Sequence, residues 1–284
     1  MKTVVITGAS TGIGRAAAEH LAAQGWKVFA GVRKQEDADA LTKANPAIEP
    51  LMLDVTKPEE VEKAAAKVAE ALGGAKLAGL VNNAGIANMG PLALQPADEF
   101  KAHFEVNVFG TLNATQGFLP LLGMDRNRTG EPGRIVNITS LGGRIAAPFL
   151  GAYTATKHAV ESMTDSFRRE LIIYGIDAIA IGPGSVKTPI WDKAEDKNEG
   201  QPYANSAWAE PISRFSDTML KGGREGLPPE KIAKVIETAL TDSSPKARYA
   251  PVPNKFTNWT IPTHIPKRWL DSIFANRFGM KKPD

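Results

Sequence analysis

Residues 2–25 constrain the fold more tightly than any other stretch. Lys2 to Thr7 (K-T-V-V-I-T) is a short β-branched run of the kind that forms buried parallel strands. It breaks into glycines 8, 12 and 14, and residues 16–23 continue as a helix. Strand, glycine turn and helix in that order form the entrance to a dinucleotide-binding unit. Missing side chains there let backbone amides approach a pyrophosphate at a helix N-terminus. The spacing is G-x-x-x-G-x-G rather than the more familiar G-x-G-x-x-G. A glycine turn alone is a weak signal, so the rest of the chain has to support it.

The alternation continues. Residues 27–32 read as a second strand, 35–44 as a polar, Ala-rich helix, and 51–54 as the end of a third strand. Pro50 is tolerable there only near the strand's start or on a sheet edge. Pro58 opens a helix to Leu72, with Glu59 and Glu60 near its positive end. Residues 77–81 form a fourth strand that breaks into Asn82-Asn83-Ala84-Gly85. A helical region over 97–122 carries Phe100, Phe104, Val108, Leu112 and Phe118 at helix-compatible spacing. Strand five spans 134–139, a helix runs past Tyr153 to Tyr174, and strand six spans 177–181. This rhythm predicts an α/β fold, a single doubly wound parallel sheet with helices on both faces. From 185 to 227 the pattern fails: prolines 189, 202 and 211 mix with Trp191, Tyr203, Trp208 and Phe215. A loop of that length with that aromatic content predicts a substrate lid. A helix over 229–240 and a strand near 248–252 close a single domain covering 1–284, with a C-terminal extension over 255–284.

Composition narrows the classes of function. The 284 residues are 43% hydrophobic and 23% charged, enough for a large core. Cysteine is absent, which excludes disulfides and thiolate ligands and fits a reducing compartment. The apolar run before Gly8 is too short for a secretory leader, and no stretch reaches the roughly 18 apolar residues of a membrane span. A cytoplasmic protein without an integral membrane segment is therefore expected. The net charge is +3, but residues 255–284 carry six Lys/Arg against two Asp, leaving the remainder at −1. No basic stripe marks the folded elements, so nucleic acid is not an expected partner. Histidines 20, 103, 158 and 264 are scattered, so no metal is expected.

The candidate site lies between Ser140 and Lys157. Tyr153 and Lys157 are four residues apart, which on a helix sets phenol and ammonium on one face. A tyrosine alone is a poor acid or base near neutrality, and an adjacent cation lowers its pKa. Ser140 follows the apolar strand 135–138, which delivers it to the same place. Read alone, the segment also fits an amphipathic helix with one exposed lysine.

Six motifs in order decide between these readings: T-G-A-S-T-G-I-G (7–14), L-D-V-T (53–56), N-N-A-G (82–85), N-V-F-G-T (107–111), the serine thirteen residues before Y-T-A-T-K (153–157), and P-G-S-V-K-T-P (183–189). With them the chain resembles the classical short-chain dehydrogenase/reductase family over residues 2–190, a Rossmann-type fold. It looks nearest to the branch of 17β-hydroxysteroid and retinol dehydrogenases.

The resemblance implies Tyr153 as general acid/base, Lys157 as the group that lowers its pKa and holds the nicotinamide ribose, Ser140 as hydrogen-bond partner of the substrate carbonyl, and Asn107 as the residue ordering a proton-relay water. Thr139 rivals Ser140, but strand alternation turns the two apart. Ser140 as a helix cap and Asn107 as an ordinary polar helix residue are the bland alternatives.

Gly8, Ser10, Thr11, Gly12, Ile13 and Gly14 would cradle the cofactor. Asp54 and Val55 would border the adenine, Asn83, Ala84 and Gly85 would line the trough, and Pro183, Gly184, Val186 and Thr188 would meet the carboxamide side. Arg33, with no acidic residue at the end of strand two, favours NADP(H) over NAD(H). The implied reaction interconverts a secondary alcohol and a ketone on a bulky hydrophobic molecule, steroid-, retinoid- or lipid-like, against Ser140, Phe149, Tyr153 and Trp191. Ile86, Met89 and Leu150 are further candidates for that pocket. A catalytically silent NADP(H)-binding regulator is the alternative, expected to lack one of the three catalytic groups. Family members pair subunits through helices like 97–122 and 152–174, so a homodimer or homotetramer is expected. In the tail, Trp269, Leu270, Ile273 and Phe274 share a face expected to pack on the chain's own surface or lid.

Overall fold

The computed structural model describes residues 1–190 and 203–280. Seven parallel strands form one sheet in the order β3-β2-β1-β4-β5-β6-β7. They are β1 (Thr3–Ile6), β2 (Lys27–Val32), β3 (Ile48–Met52), β4 (Gly79–Asn82), β5 (Arg134–Ile138), β6 (Asp177–Ile181) and β7 (Arg248–Tyr249). Side chains alternate between faces, so both sides of the sheet must be apolar. Val4 and Ile6 join one buried cluster, with Val28, Val81 and Ile179, while Val5 joins the other, with Phe29, Leu80 and Ile135. The first face is covered by α1 (Gly12–Ala23) and α8 (Pro229–Thr241), the second by α3 (Pro58–Leu72) and α5 (Gly110–Leu119). Between α1 and β3 lies α2 (Gln35–Ala44). Pro50 pairs with Ala30 on the edge strand β3, where a missing donor breaks no ladder on the open side.

Strand order reverses between β1 and β4, which opens a crevice at the strands' C-terminal ends. The helical region over 97–122 is not one regular helix. It divides into α4 (Ala97–Phe104), a π-turn (Glu105–Phe109), α5 and a second π-turn (Pro120–Met124). The first π-turn holds Asn107, and π-turns often mark functional positions. Beyond β5, α6 (Gly151–Glu170) carries Tyr153 and Lys157.

The segment expected to be irregular over 185–227 contains α7 (Ala209–Glu225), 17 residues long. Pro211 falls in its first turn, where a missing N–H costs nothing, and Ile212, Phe215 and Met219 recur at helical spacing. The ends of this segment meet: Lys187 N–H donates to the Leu227 carbonyl at 3.0 Å, and Leu227 N–H to Ser185 at 2.9 Å. After β7, a π-turn (Phe256–Thr260), α9 (Ile261–His264) and α10 (Lys267–Phe278) complete the fold.

The tail packs on the chain itself, but with only part of the expected face: Leu270 and Phe274 are partly buried, Trp269 and Ile273 are not. Phe274 and Phe278 turn inward, with Phe278 stacked edge-on against Phe215 of α7 at 5.2 Å. Trp269 and Ile273 remain 67% and 49% exposed. Among the described residues no helix is long and apolar enough to cross a membrane.

Candidate active site

The glycine turn is built by close approach. Gly8 has φ 64°, and a Cβ there would stand 2.7 Å from the Ala84 Cα. A Cβ on Gly14 would meet the Gly8 carbonyl and the Asn83 side chain at 2.3 and 2.4 Å. Asn83 closes the turn by donating from its amide to the carbonyls of Thr7 and Gly8, while Thr7 Oγ1 accepts from the backbone N–H of Asn83 and Ala84. The N-N-A-G motif thus pins β4 to the glycine turn.

Thr11 caps α1 without a side-chain hydrogen bond, and no acidic residue lies in the first turn. Orphan amides and a positive helix end therefore face a cavity of about 200 Å³. Its walls include Gly8, Ser10, Thr11, Gly12, Ile13, Arg33, Asp54, Val55, Asn83, Ala84, Gly85 and Thr188. Of the expected cradle residues, only Gly14 is not on these walls; it acts behind them. Val32, Val106 and Ile190 also line the cavity, and no motif marked them in advance. Burial raises the Asp54 carboxyl, but hydrogen bonds from Thr56 with the charges of Arg33 and Lys57 outweigh it and hold the pKa below its ordinary value. A small, open cradle with bare amides, a cation at one end and no competing acid in the first turn fits a dinucleotide phosphate chain.

A second cavity of about 100 Å³ continues from the first, sharing Ile13, Asn83, Gly85, Thr188 and Ile190. Ser140, Tyr153, Lys157, Pro183, Gly184 and Val186 line it. The Tyr153 phenol and the Ser140 hydroxyl share a hydrogen bond. Ser140 Oγ also accepts from the Gly142 N–H at 3.0 Å, capping a 3₁₀ turn over Leu141–Gly143, so the residue is a cap as well as part of the cavity wall. Thr139 also lines this cavity, but its hydroxyl is directed to Glu161 at 2.6 Å and to the Ile181 carbonyl at 3.1 Å.

Lys157 Nζ donates to the Ile138 carbonyl at 2.9 Å and lies 5.7 Å from the Tyr153 ring centroid. Burial pulls the Lys157 pKa down to about 8, with the Glu161 carboxylate opposing. Burial pushes the Tyr153 phenol up, with the Ser140 hydrogen bond working against it. The expected lowering of the phenol by Lys157 is therefore not what the protein environment alone produces. Desolvation of the buried phenol outweighs the hydrogen bond with Ser140.

Asn107 is buried and fully engaged. Its Oδ1 accepts from Ile86 N–H, and its Nδ2 donates to the Ile86 carbonyl and to Thr156 Oγ1. A water it orders must share an acceptor already in use, either Oδ1 or the main-chain carbonyl, the latter accepting from Thr111 Oγ1 at 2.8 Å. Gly85 sits between Asn107 and Lys157, since a Cβ there would meet Asn107 Oδ1 at 3.1 Å and Lys157 Nζ at 3.7 Å.

One residue expected at the substrate is elsewhere. Phe149 lines neither cavity; it is buried with Met89, Leu150, Phe215 and Phe278, its backbone at φ 61° and its ring edge-on to Phe215 at 5.6 Å. The left-handed backbone just before α6 goes with a ring packed in the roof cluster rather than in the pocket. Met89 and Leu150 share that fate, while Ile86 does line the nucleotide cavity. Trp191 lies outside the described residues.

The glycine cradle, the reversal of strand order and the Ser140–Tyr153–Lys157 cluster together define a nucleotide-dependent oxidoreductase fold. The chain belongs to the short-chain dehydrogenase/reductase family: the short chain dehydrogenase family profile matches residues 2–199. It is an oxidoreductase acting between alcohol and carbonyl groups with a nicotinamide nucleotide. Among its relatives are the NADPH-dependent 3-dehydrocapnine reductase of Ornithobacterium rhinotracheale, 38% identical over 96% of both chains. Mouse estradiol 17-beta-dehydrogenase 2 is 31% identical over 98% of this chain and 75% of its own. Mouse retinol dehydrogenase 5 is 32% identical over 96% of this chain and 87% of its own. A short-chain dehydrogenase from Streptomyces avermitilis superposes with a TM-score of 0.77 at 31% identity, covering 97% and 94% of the two chains. A short-chain dehydrogenase/reductase from Burkholderia phymatum, in complex with NAD, gives 0.77 at 27% identity, covering 100% and 98%.

Proposed function

We propose that the protein is an NADP(H)-preferring reductase that converts a ketone on a bulky hydrophobic molecule to a secondary alcohol, with Tyr153 as proton donor. The observation that carries this reading is the hydrogen-bonded Ser140–Tyr153 pair beside Lys157, in a cavity continuous with the glycine cradle. A bound nicotinamide dinucleotide supplies the hydride for reduction, or accepts one in the reverse sense.

The substrate oxygen takes hydrogen bonds from the Ser140 hydroxyl and the Tyr153 phenol. As the carbonyl carbon gains a hydride, Tyr153 gives its proton to the oxygen, so the C=O becomes CH–OH and the phenolate is left. Lys157 holds that phenolate electrostatically and, with its pKa near 8, exchanges protons close to neutrality. A relay to solvent runs by way of a water on the Asn107 carbonyl. A phenol pushed up by burial is protonated at neutral pH, which suits the reductive direction.

Arg33 supports the cofactor preference: it leaves β2 at the rim of the larger cavity, and Glu36 and Asp37 fall beyond it in the first turn of α2. The name of the Ornithobacterium relative supports it too, while the Burkholderia structure in complex with NAD makes the comparison of the two cofactors the necessary test. Apolar Ile13, Val186 and Ile190 on the smaller cavity support a hydrophobic substrate, as do relatives named for estradiol and retinol. The segment 185–227 acts as the lid in this reading, and Phe109, 47% exposed at the α4–α5 junction, supports pairing of subunits there.

The test is a panel of hydrophobic ketones and alcohols with NADPH and NADH, read at the reduced cofactor's absorbance, for the protein and for Tyr153→Phe. Turnover with NADPH and a loss of about 10³-fold in the variant at unchanged cofactor affinity are expected. Near wild-type turnover in Tyr153→Phe would sink the mechanism, and a much lower KM for NADH would reverse the cofactor preference.

A further inference from the structure

Behind the catalytic cluster, three consecutive residues at the end of β5 are each held by a different long side chain. Lys157 Nζ donates to the Ile138 carbonyl at 2.9 Å. Glu161 accepts from the Thr139 hydroxyl at 2.6 Å. Arg248 Nη2 reaches the Ser140 carbonyl at 3.4 Å. Glu161 and Arg248 are themselves joined, Arg248 Nε donating to both carboxylate oxygens at 3.0 and 2.9 Å.

Space is kept for this arrangement. A Cβ on Gly143 would stand 2.9 Å from Glu161 Cγ, and one on Gly182 would stand 2.1 Å from Arg248 Nη2. The Arg248 guanidinium lies 4.3 Å from the ring centroid of Trp259, which brings the C-terminal extension onto the same group.

Glu161 is one helical turn beyond Lys157 and only 7% exposed. Three cations face it: Lys157 from its own helix α6, Arg248 from β7, and Arg144, 3.3 Å away and 49% exposed, from the turn after β5. A carboxylate so deep in the protein is costly unless paired. Hydrogen bonds to Thr139 and Arg248 and the charge of Arg144 meet that requirement, and the cluster lies directly behind Ser140.

We propose that Glu161 is a positioning residue for the reaction: through Thr139 and Arg248 it anchors the strand end that carries Ser140, and it is the anion that keeps the catalytic lysine charged. Arg144 opposes the second role, since it draws on the same carboxylate. This rests on the parts given above to Ser140, Tyr153 and Lys157. The two arms predict opposite signs for two substitutions. Glu161→Gln keeps the shape and removes the charge, so Lys157 gives up its proton at lower pH. Arg144→Gln removes a competing cation at a half-exposed position, so Lys157 keeps its proton to higher pH.

The experiment follows Lys157 by NMR of the lysine side chains in the cofactor-free full-length protein, its signal assigned with Lys157→Met. The alkaline limb of kcat/KM for ketone reduction is recorded alongside. The wild-type midpoint is expected near 8. Glu161→Gln is expected to lower it by about one pH unit and Arg144→Gln to raise it by a fraction of one, with the limb moving the same way. Thr139→Val, which retains the carboxylate, is expected to lower kcat several-fold while leaving the midpoint in place. Midpoints unmoved in both charge variants would overturn the electrostatic role, and an unchanged kcat in Thr139→Val the anchoring role. If Glu161→Gln does not fold, Arg144→Gln decides alone: an upward shift supports the proposal and no shift overturns it. Retained turnover in Tyr153→Phe would remove the mechanism while leaving the lysine titration to judge the charge pairing separately.

Discussion

Around the glycine turn, backbone meets backbone: Gly8 lies against Ala84, and Gly14 against the Gly8 carbonyl and the Asn83 amide. Over the other side of the site, rings meet rings, with Phe149, Phe215 and Phe278 in edge-on contacts at 5.6 and 5.2 Å. The first region tolerates no added atom, because its parts are main chain and one side-chain amide that two backbone carbonyls hold in place. The second is held by side chains from three distant stretches, which can repack as a group. A nucleotide that must sit against amides needs the first kind of construction. A cover over the substrate side can be made of the second.

That contrast can be broken in four ways. Gly8→Ala should do the most damage, because its φ of 64° and a 2.7 Å approach to the Ala84 Cα leave no room for a methyl group. A loss of about 100-fold or more in cofactor affinity by fluorescence titration, with a clear fall in Tm, is expected; mild loss would mean that the cradle yields after all. Arg33→Ala should raise KM for NADPH by about 10- to 100-fold, the range expected for a lost charged hydrogen bond, with NADH changed little. Equal effects on both cofactors would assign Arg33 to general charge steering.

Phe278→Ala should leave cofactor affinity unchanged while raising substrate KM a few-fold and lowering Tm. A shift in cofactor affinity would show that the two regions are coupled. Lys157→Met probes the border between them through stability. The lysine's pKa falls from 10.5 to about 8 on folding. The unfolded chain therefore binds more protons between those values, and wild-type stability climbs as pH rises through that window. Below pH 8 the burial costs about 3 kcal/mol in full, partly offset by the hydrogen bond to Ile138. The methionine variant should accordingly melt a few degrees higher than wild type at pH 7, and the gap should close by pH 10.

The same contrast explains which parts were legible in the sequence. The strands were readable because fully buried parallel strands leave continuous β-branched runs, and the cradle because only glycine satisfies such approaches. That Tyr153, Lys157 and Ser140 share a cavity was readable from six motifs in order, since their local spacing alone also fits an ordinary helix. The helix α7 was hidden by Pro211 and by Gly222-Gly223, which break a propensity count yet fall in its first and last turns. Phe149 was misplaced because adjacency to the catalytic helix says nothing of a left-handed backbone that goes with a ring packed in the roof. The tail's inward face was readable only in part: Phe274 was in the expected set, while Phe278 finds Phe215 only in the folded chain. Glu161 carried a local hint, one turn past Lys157, but Arg248 is 87 residues further on and no local pattern joins them.

The paired hydrogen bonds between Leu227 and residues 185 and 187 have a consequence for how such a chain diversifies. They bring the two borders of the intervening cassette together, so its length and content can change without moving the frame that holds the nucleotide. Closing a longer excursion costs little, since the entropy of closure grows only slowly with length. The junction is therefore a natural splice point. A cassette transplanted from a relative between Ile190 and Leu227, which leaves Thr188 and Ile190 on the nucleotide cavity, should carry its substrate preference with it and keep the host's nucleotide preference.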